Sequence, residues 1–219
     1  MNENNTDINK NQYVKYLIIS ILALIVLALG VSIMVKSDIG LGPWDALSAT
    51  ISQLTGLKFG TASILSNLVM IVLQIAILRK KFKFSYWIQI PIIFGFGFVI
   101  NFFLYKILQF NLTLYWTKLT FFVLGNIVAA FSISFLVILD IVAMPPELFS
   151  SSVAKVSTFE FSNVRLLLDI VSVIICLLST LLLSTTLQIR EGTIISIIVF
   201  NISLKVFIKL VGPLFVKTL

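Results

Sequence analysis

An arginine and an aspartate lie inside an apolar stretch of the sequence at a spacing that allows contact. Arg165 and Asp169 are four residues apart, so on a helix they share one face and can form an ion pair. A charge at the centre of a bilayer costs about 2.5–3.5 kcal/mol even on a permissive scale, so we expect Asp169 to face the protein interior. The pair is either structural or part of a solute contact in an internal cavity. If Arg165 instead extends to the headgroups, Asp169 needs another partner, for which Lys205 is available.

Two further segments place an acidic residue just after a proline. They are "GPWDALSATISQL" (42–54) and "MPPELFSSSVAKV" (144–156). Proline suits the first turn of a helix, and an acidic side chain there complements the helix dipole, so we predict short helices at 43–55 and 145–157. Each is either an amphipathic helix on the headgroups, with Trp44 as an interfacial anchor, or a re-entrant half-helix that exposes backbone groups to a cavity.

Isolated amides in the other apolar runs complete the set of candidate solute contacts. An asparagine in a membrane helix often only bonds a neighbouring helix, for roughly 0.6 kcal/mol, so its presence alone is a weak signal. The predicted substrate-binding residues are Asp38, Trp44, Asp45, Asn67, Asn101, Glu147, Arg165, Asp169 and Asn201.

The residue patterns of common catalytic sites are missing from the sequence. It has no histidine, one cysteine (Cys176), and neither an H-E-x-x-H nor a G-x-x-x-x-G-K-[ST] motif. We therefore predict no catalytic residues, no metal and no cofactor, and a protein that is not an enzyme. A single cysteine excludes an intrachain disulfide, and we expect Cys176 to be a small core residue.

Composition identifies the elements that must position these side chains. Of 219 residues, 59% are hydrophobic and 11% charged, and the mean hydropathy is +1.10, whereas a soluble domain carries about 25% charged residues. Apolar runs of the length needed to cross a bilayer predict an all-α polytopic membrane protein. The six predicted spans are 14–35, 61–79, 86–109, 117–139, 163–183 and 192–210, and residues 1–13, which are rich in asparagine, predict a disordered cytoplasmic tail.

The distribution of lysine and arginine predicts the orientation of the spans. With a cytoplasmic amino terminus, eleven basic residues face the cytoplasm and five face outside, and the block "RKKFK" (79–83) lies in a short cytoplasmic loop. The net charge of +7 therefore reports membrane orientation and not a nucleic-acid partner. We expect a bacterial plasma membrane protein with both termini in the cytoplasm.

An internal repeat links the two halves of the chain. Shifting the sequence by 102 residues lays 24–69 over 126–171 without a gap, with 12 of 46 positions identical; Asp38 meets Asp140, Pro43 meets Pro145 and Asp45 meets Glu147. The repeats are 14–109 and 117–213, within one membrane domain. Since each contains three spans, the second enters the membrane from the opposite side, which predicts inverted repeats.

Small residues predict which spans pack closely. Ala28 with Ser32 in the first span and Ala130 with Ser134 in the fourth have the four-residue spacing that lets helix backbones approach, so we expect these spans to face each other. The third span should approach a neighbour through its glycines and bend at its proline; these residues are Gly95, Gly97 and Pro91.

The stretch "SDIGLGPWDALSATISQLTGLKFGTASI" (37–64) resembles the G-x-G-P-W-D…T-G-x-x-F-G-T-A-S signature of the YczE/YyaS/YitT-like integral membrane proteins. "STFEFSNVRLLLD" (157–169) and "REGTIISIIVF" (190–200) are similar to that family's V-R-x-x-x-D and G-x-G-T segments. The resemblance extends over about 14–213. It implies this membrane architecture and no particular substrate.

These features predict a small permease for an unidentified solute. Inverted repeats, paired half-length helices and interior polar groups are typical of secondary transporters. The alternative is a membrane-embedded binding or accessory subunit without transport of its own. Expected partners are the lipid bilayer, a small-molecule solute, and a second copy of the chain or another membrane protein.

Overall fold

The structure, a computed structural model, describes residues 10–139 and 141–216. All regular secondary structure in these residues is helical. The helices are α1 (Lys10–Ser37), α2 (Pro43–Thr55), α3 (Phe59–Leu78), α4 (Gln89–Phe102), α5 (Tyr115–Leu139), α6 (Pro145–Val156), α7 (Phe161–Leu183) and α8 (Glu191–Val216). Two 3₁₀ turns, Arg79–Lys81 and Phe84–Ile88, join α3 to α4, and a π-helical turn, Phe103–Ile107, extends α4.

Six helical segments are long and apolar enough to cross a membrane. They are Asn11–Ser37, Phe59–Lys81, Tyr86–Ile107, Tyr115–Leu139, Phe161–Leu183 and Glu191–Phe215. Large apolar side chains cover their outward faces; Phe98, Leu181 and Leu214 are each about 70–80% exposed. Six such helices indicate a membrane protein, since this apolar surface is stable only against lipid.

The predicted spans agree with these segments to within a few residues, except at both ends of the chain. α1 begins at Lys10, so residues 10–13 belong to a helix and not to the predicted tail; residues 1–9 lie outside the described residues. α8 continues through Pro213 to Val216, beyond the predicted end at 210.

α1 and α5 form the closely packed centre of the bundle, as their small residues predict. Ala28 and Ala130 are completely buried. A side chain added at Gly30 would lie 2.9 Å from the backbone of α5 at Gly125 and Ala129, so the two backbones are nearly in contact.

The short helices predicted at 43–55 and 145–157 are present as α2 and α6, and each packs against both α3 and α7. The hydroxyls of Ser48 and Ser66 are 3.0 Å apart, and the Thr50 hydroxyl donates to the Cys176 sulfur at 3.4 Å. Ser66 and Cys176 are each seven residues, about 10 Å, from the nearer ends of α3 and α7. α2 therefore lies well inside the bundle. Cys176 is 1% exposed, as expected of a core residue.

α4 packs tightly on α3 through one glycine pair. A side chain at Gly97 would lie 2.5 Å from the Gly60 carbonyl oxygen, whereas one at Gly95 would meet nothing within 4 Å. The prediction of close approach is confirmed for Gly97 and wrong for Gly95, which points away from the interface. The predicted bend at Pro91 is also wrong, because α4 begins at Gln89 and a proline in the first turn removes no helical hydrogen bond.

Within the described part of the chain, α8 packs along α5 and makes few contacts with α7, which packs on α2 and α6. In the first half of the chain the corresponding helices, α3 and α4, are in close contact. The last two spanning helices of each half therefore pack differently: α3 contacts α4 closely, whereas α7 and α8 make few contacts with each other.

Candidate functional site

A cavity of about 400 Å³ lies in the middle of the bundle, where all eight helices contribute to its wall. α1, α4, α5 and α8 supply a largely apolar side that includes Phe96 and Phe200. α2, α6 and α7 supply charged side chains on the other. Such a volume accommodates a small molecule and is at the lower end of the usual range for ligand pockets.

The amino-terminal turns of both short helices face this cavity. Trp44 and Asp45 of α2, and Pro146 and Glu147 of α6, are among its lining residues. The prolines start these helices and the acidic residues lie in their first turns, as predicted from the sequence. The Gln74 amide fixes the start of α6 by donating to the Pro145 carbonyl at 3.0 Å.

A charge network lies at the α6–α7 wall of the cavity. The predicted pair is confirmed, with Arg165 Nη2 3.7 Å from Asp169 Oδ1, and the same nitrogen is 3.8 Å from Glu147 Oε1. Arg165 is thus shared by two carboxylates, and Asp169 has no need of Lys205. Asp45 is the third carboxylate of the cavity and has no ion-pair partner within 4 Å among the described residues.

Burial perturbs the acidic groups on the two short helices, which lie outside the six spanning segments. Burial raises the pKa of Asp45 to about 6; Arg165 opposes this shift, and Glu147 and Asp169 add to it. Burial likewise raises the pKa of Glu147 above its usual value, again opposed by Arg165. Both shifts follow mainly from burial, and the neighbouring carboxylates, which share one cation, add a smaller part.

Five buried polar atoms around the cavity lack a hydrogen-bond partner among residues 10–139 and 141–216. They are Trp44 Nε1, Asn67 Oδ1, Glu147 Oε2, Arg165 Nη1 and Asp169 Oδ1. Leaving a buried polar group unpaired costs about 1–3 kcal/mol, more for charged groups, so a protein interior rarely accumulates them at one place. Their convergence is typical of a site that binds a polar ligand.

Seven of the nine predicted site residues line the cavity: Trp44, Asp45, Asn67, Glu147, Arg165, Asp169 and Asn201. Their role in binding stays a prediction.

Asp38 lies at a different place, at the end of the bundle where α1 ends and α8 begins. Arg190 Nη2 donates to its carboxylate at 2.7 Å and to its carbonyl at 2.8 Å, and Lys118 Nζ is 3.6 Å away. Ile39 and Leu41 accept further bonds from Gly192 and Thr193. Asp38 therefore ties the α1–α2 connection to α8.

Asn101 also lies away from the cavity lining. Its side-chain oxygen accepts from the Gly60 N–H at 2.9 Å, and its nitrogen donates to the Thr61 hydroxyl at 3.1 Å. These bonds satisfy the first turn of α3, which explains the asparagine without a ligand.

Three polar lining residues are absent from the predicted set: Ser63, Asn126 and Ser196. The Ser196 hydroxyl donates to Asn126 Oδ1 at 2.6 Å, which joins α8 to α5 in the cavity wall. Ser196 precedes Asn201 by five residues, roughly 140° around α8, so helical periodicity does not place the two side chains on one face. The sequence signal for Ser196 was its polar type within an apolar run.

Apolar spanning helices around an interior polar cavity define this chain as a polytopic membrane protein with an internal candidate binding site. It belongs to the family of unknown function DUF6198, whose model matches residues 14–209.

No curated protein and no solved structure matches the sequence. Nothing in these comparisons ties the chain to the YczE/YyaS/YitT-like proteins, so that resemblance stays a prediction.

Proposed function

We propose that this chain is a small-solute permease of two inverted repeats, not an enzyme, and that the central cavity is its solute site. The observation that carries the proposal is the set of five buried polar atoms without a hydrogen bond, described above, on residues that line this one cavity. A solute that enters the cavity would complete their hydrogen bonds, which gives binding energy at a specific place.

The composition of the cavity wall supports the inverted repeat. Seven pairs of lining residues are separated by the 102-residue offset of the sequence repeat: Leu27/Ala129, Val31/Ile133, Gly42/Met144, Trp44/Pro146, Asp45/Glu147, Ser63/Arg165 and Asn67/Asp169. Two copies of one unit arranged around a twofold axis contribute equivalent positions to a shared central site. The offset is a property of the sequence alone, so its recurrence in the cavity wall is independent support.

The helix contacts support the same arrangement. The contact of α2 with α7 corresponds, under the repeat, to the contact of α6 with α3, and both are present. α1 and α5 are also equivalent, and they pack on each other at the centre. Half-helices whose first turns face a midplane site are the arrangement by which secondary transporters bind solutes, so we assign α2 and α6 as re-entrant.

Proteoliposomes containing the full-length protein should exchange at least one solute from a mixture of small metabolites, measured by mass spectrometry of the internal contents. We expect more than a tenfold excess over protein-free liposomes. Glu147→Gln should abolish the exchange because it removes a charge from the cavity. Glu191→Gln, which changes an exposed carboxylate outside the cavity lining, is the matched control and should be as active as the wild type.

Saturable binding by folded protein without any flux would contradict the permease and favour the accessory binding subunit. Exchange by Glu147→Gln at the wild-type rate would show that the exchange does not depend on the cavity, and loss in Glu191→Gln as well would show that the loss in Glu147→Gln is not specific to the cavity.

The orientation proposed from the charge distribution has its own test, in a Cys176→Ala background. Lys81→Cys and Lys155→Cys should be protected from an impermeant thiol reagent added outside intact cells, and Lys58→Cys should be labelled. All three positions are exposed in the structure. The reverse labelling pattern would place the termini outside the bacterial cytoplasm and invert the proposal.

A further inference from the structure

The cavity carries an excess of negative charge. Asp45, Glu147 and Asp169 face a single cation, Arg165, and no other charged side chain lines it in the described part of the chain. Arg165 is already shared by two of the carboxylates, at 3.8 and 3.7 Å. An interior carboxylate without a counter-charge is costly, so the third one requires a proton or a positively charged ligand.

The unpartnered atoms specify the chemistry of that ligand more closely. Three of them are acceptors, on Asn67, Glu147 and Asp169. Asn67 lines the cavity and is only 2% exposed; its nitrogen already donates to the Ser63 carbonyl at 2.8 Å, and its oxygen has no hydrogen bond. Three acceptors require N–H or O–H donors, which a protonated amine supplies and a quaternary ammonium group does not.

From this excess of acceptors and carboxylates around one cavity, we propose that the cavity binds a small protonated amine. The ammonium group is held by Asp45, Asp169 and Asn67, and its carbon chain lies against the apolar wall formed by α1, α4 and α5. The proposal rests on the proposed solute site, and names its ligand class.

Binding of such a ligand should depend on pH. The charged groups that face Asp45 are Glu147 on α6 and Arg165 and Asp169 on α7; the lining residues on α1, α3, α4, α5 and α8 are uncharged. With the pKa of Asp45 at about 6, its ionised fraction falls about tenfold between pH 7 and pH 5. Amine affinity should fall by the same factor as the carboxylate takes up a proton.

Four probes with one carbon skeleton test the ligand class: butylamine, 1,4-diaminobutane, butan-1-ol and butanoate. Their affinities are measured by calorimetry on the delipidated full-length protein in detergent at pH 7 and pH 5. We expect at least one amine to bind more than tenfold tighter at pH 7 than the alcohol and the carboxylate do. An alcohol that binds as tightly as the amines, or a carboxylate that binds more tightly, would overturn the proposal.

Variants separate the cavity from non-specific attraction. Asp45→Asn should weaken amine binding at least tenfold and remove most of its pH dependence, and Asn67→Leu should weaken binding without changing that dependence. Glu191→Gln should bind as the wild type does. Equal amine affinity in all three variants, each shown to be folded by its elution and thermal melt, would refute the assignment.

A phospholipid headgroup carries the same ammonium chemistry as a soluble amine. The titration is therefore repeated in nanodiscs of phosphatidylglycerol with and without phosphatidylethanolamine. Competition by phosphatidylethanolamine would identify the ligand as a headgroup, and its absence as a soluble amine; either result supports an amine site. Binding is measured without flux, so the amine test can be carried out even if the protein transports no solute. Flux of an anion without amine binding would refute only the ligand class.

Discussion

Replacing Arg165 by glutamine should be among the most destabilising single changes in this protein at neutral pH. The variant leaves Glu147, Asp169 and Asp45 in one cavity without a cation. Removing one partner of a buried ion pair costs about 3–5 kcal/mol, and because these side chains keep part of their solvent exposure we expect the lower end, about 3 kcal/mol. The loss is measured as a fall in the thermal unfolding midpoint of purified protein in detergent.

The matching carboxylate change should behave differently. In Asp169→Asn, Arg165 keeps Glu147 as its partner, so the unfolding midpoint should change little. The double variant Arg165→Gln/Asp169→Asn should recover part of the loss, since one uncompensated carboxylate is gone. Strictly additive effects in this double-mutant cycle would show that the two side chains do not interact.

Acid should partly restore Arg165→Gln. Burial raises the folded-state pKa of Asp45 and Glu147, and removal of the arginine takes away the group that opposes this. Groups with a raised folded-state pKa bind more protons when folded, so stability increases as the pH falls toward 5. A deficit independent of pH between 7 and 5 would point to lost packing of the arginine side chain instead of charge.

The second large effect is expected at the contact between α3 and α4. Gly97→Ala places a methyl group about 2.5 Å from the Gly60 carbonyl oxygen and the Ile64 side chain, so the helices have to separate. Overpacking of this kind costs typically 1–3 kcal/mol, and we expect about 3 kcal/mol because one opposing group is backbone. Separation should also break the bonds of Asn101 to the first turn of α3.

Gly95→Ala on the same helix is the matched control. Its new methyl group meets nothing within 4 Å, and alanine is the better helix former by roughly 0.5–1 kcal/mol, so this variant should be as stable as the wild type or slightly more stable. Both variants are compared by thermal melts in the same detergent. Equal melting of the two variants would contradict the close helix contact.

The sequence predicted the features that depend on local spacing. Apolar run length gave the six spans, proline followed by an acid gave α2 and α6, and a spacing of four gave the pair of Arg165 with Asp169. Each of these depends on neighbours within a few turns of one helix, which periodicity describes well.

Apart from the packing of α1 on α5, which small residues predicted, the contacts that join distant segments were beyond reach. Asp38 accepts a hydrogen bond from an arginine 152 residues later, and Asn101 accepts one from the first turn of α3. The same limit applies to the glycines of α4, since only tertiary packing decides that Gly97 faces α3 and Gly95 does not. A polar residue in an apolar run signals that it needs a partner, and does not signal which one.

The buried thiol between α2 and α7 is a native reporter of the transient separation of these two helices. Alkylation requires a sulfur that the reagent can reach, and Cys176, at 1% exposure, offers no access path. Alkylation therefore has to wait until the two helices part, and its rate measures the open population multiplied by the reactivity of a free thiol. A kinetic record of conformational exchange is thus available from the unmodified protein, without any engineered label.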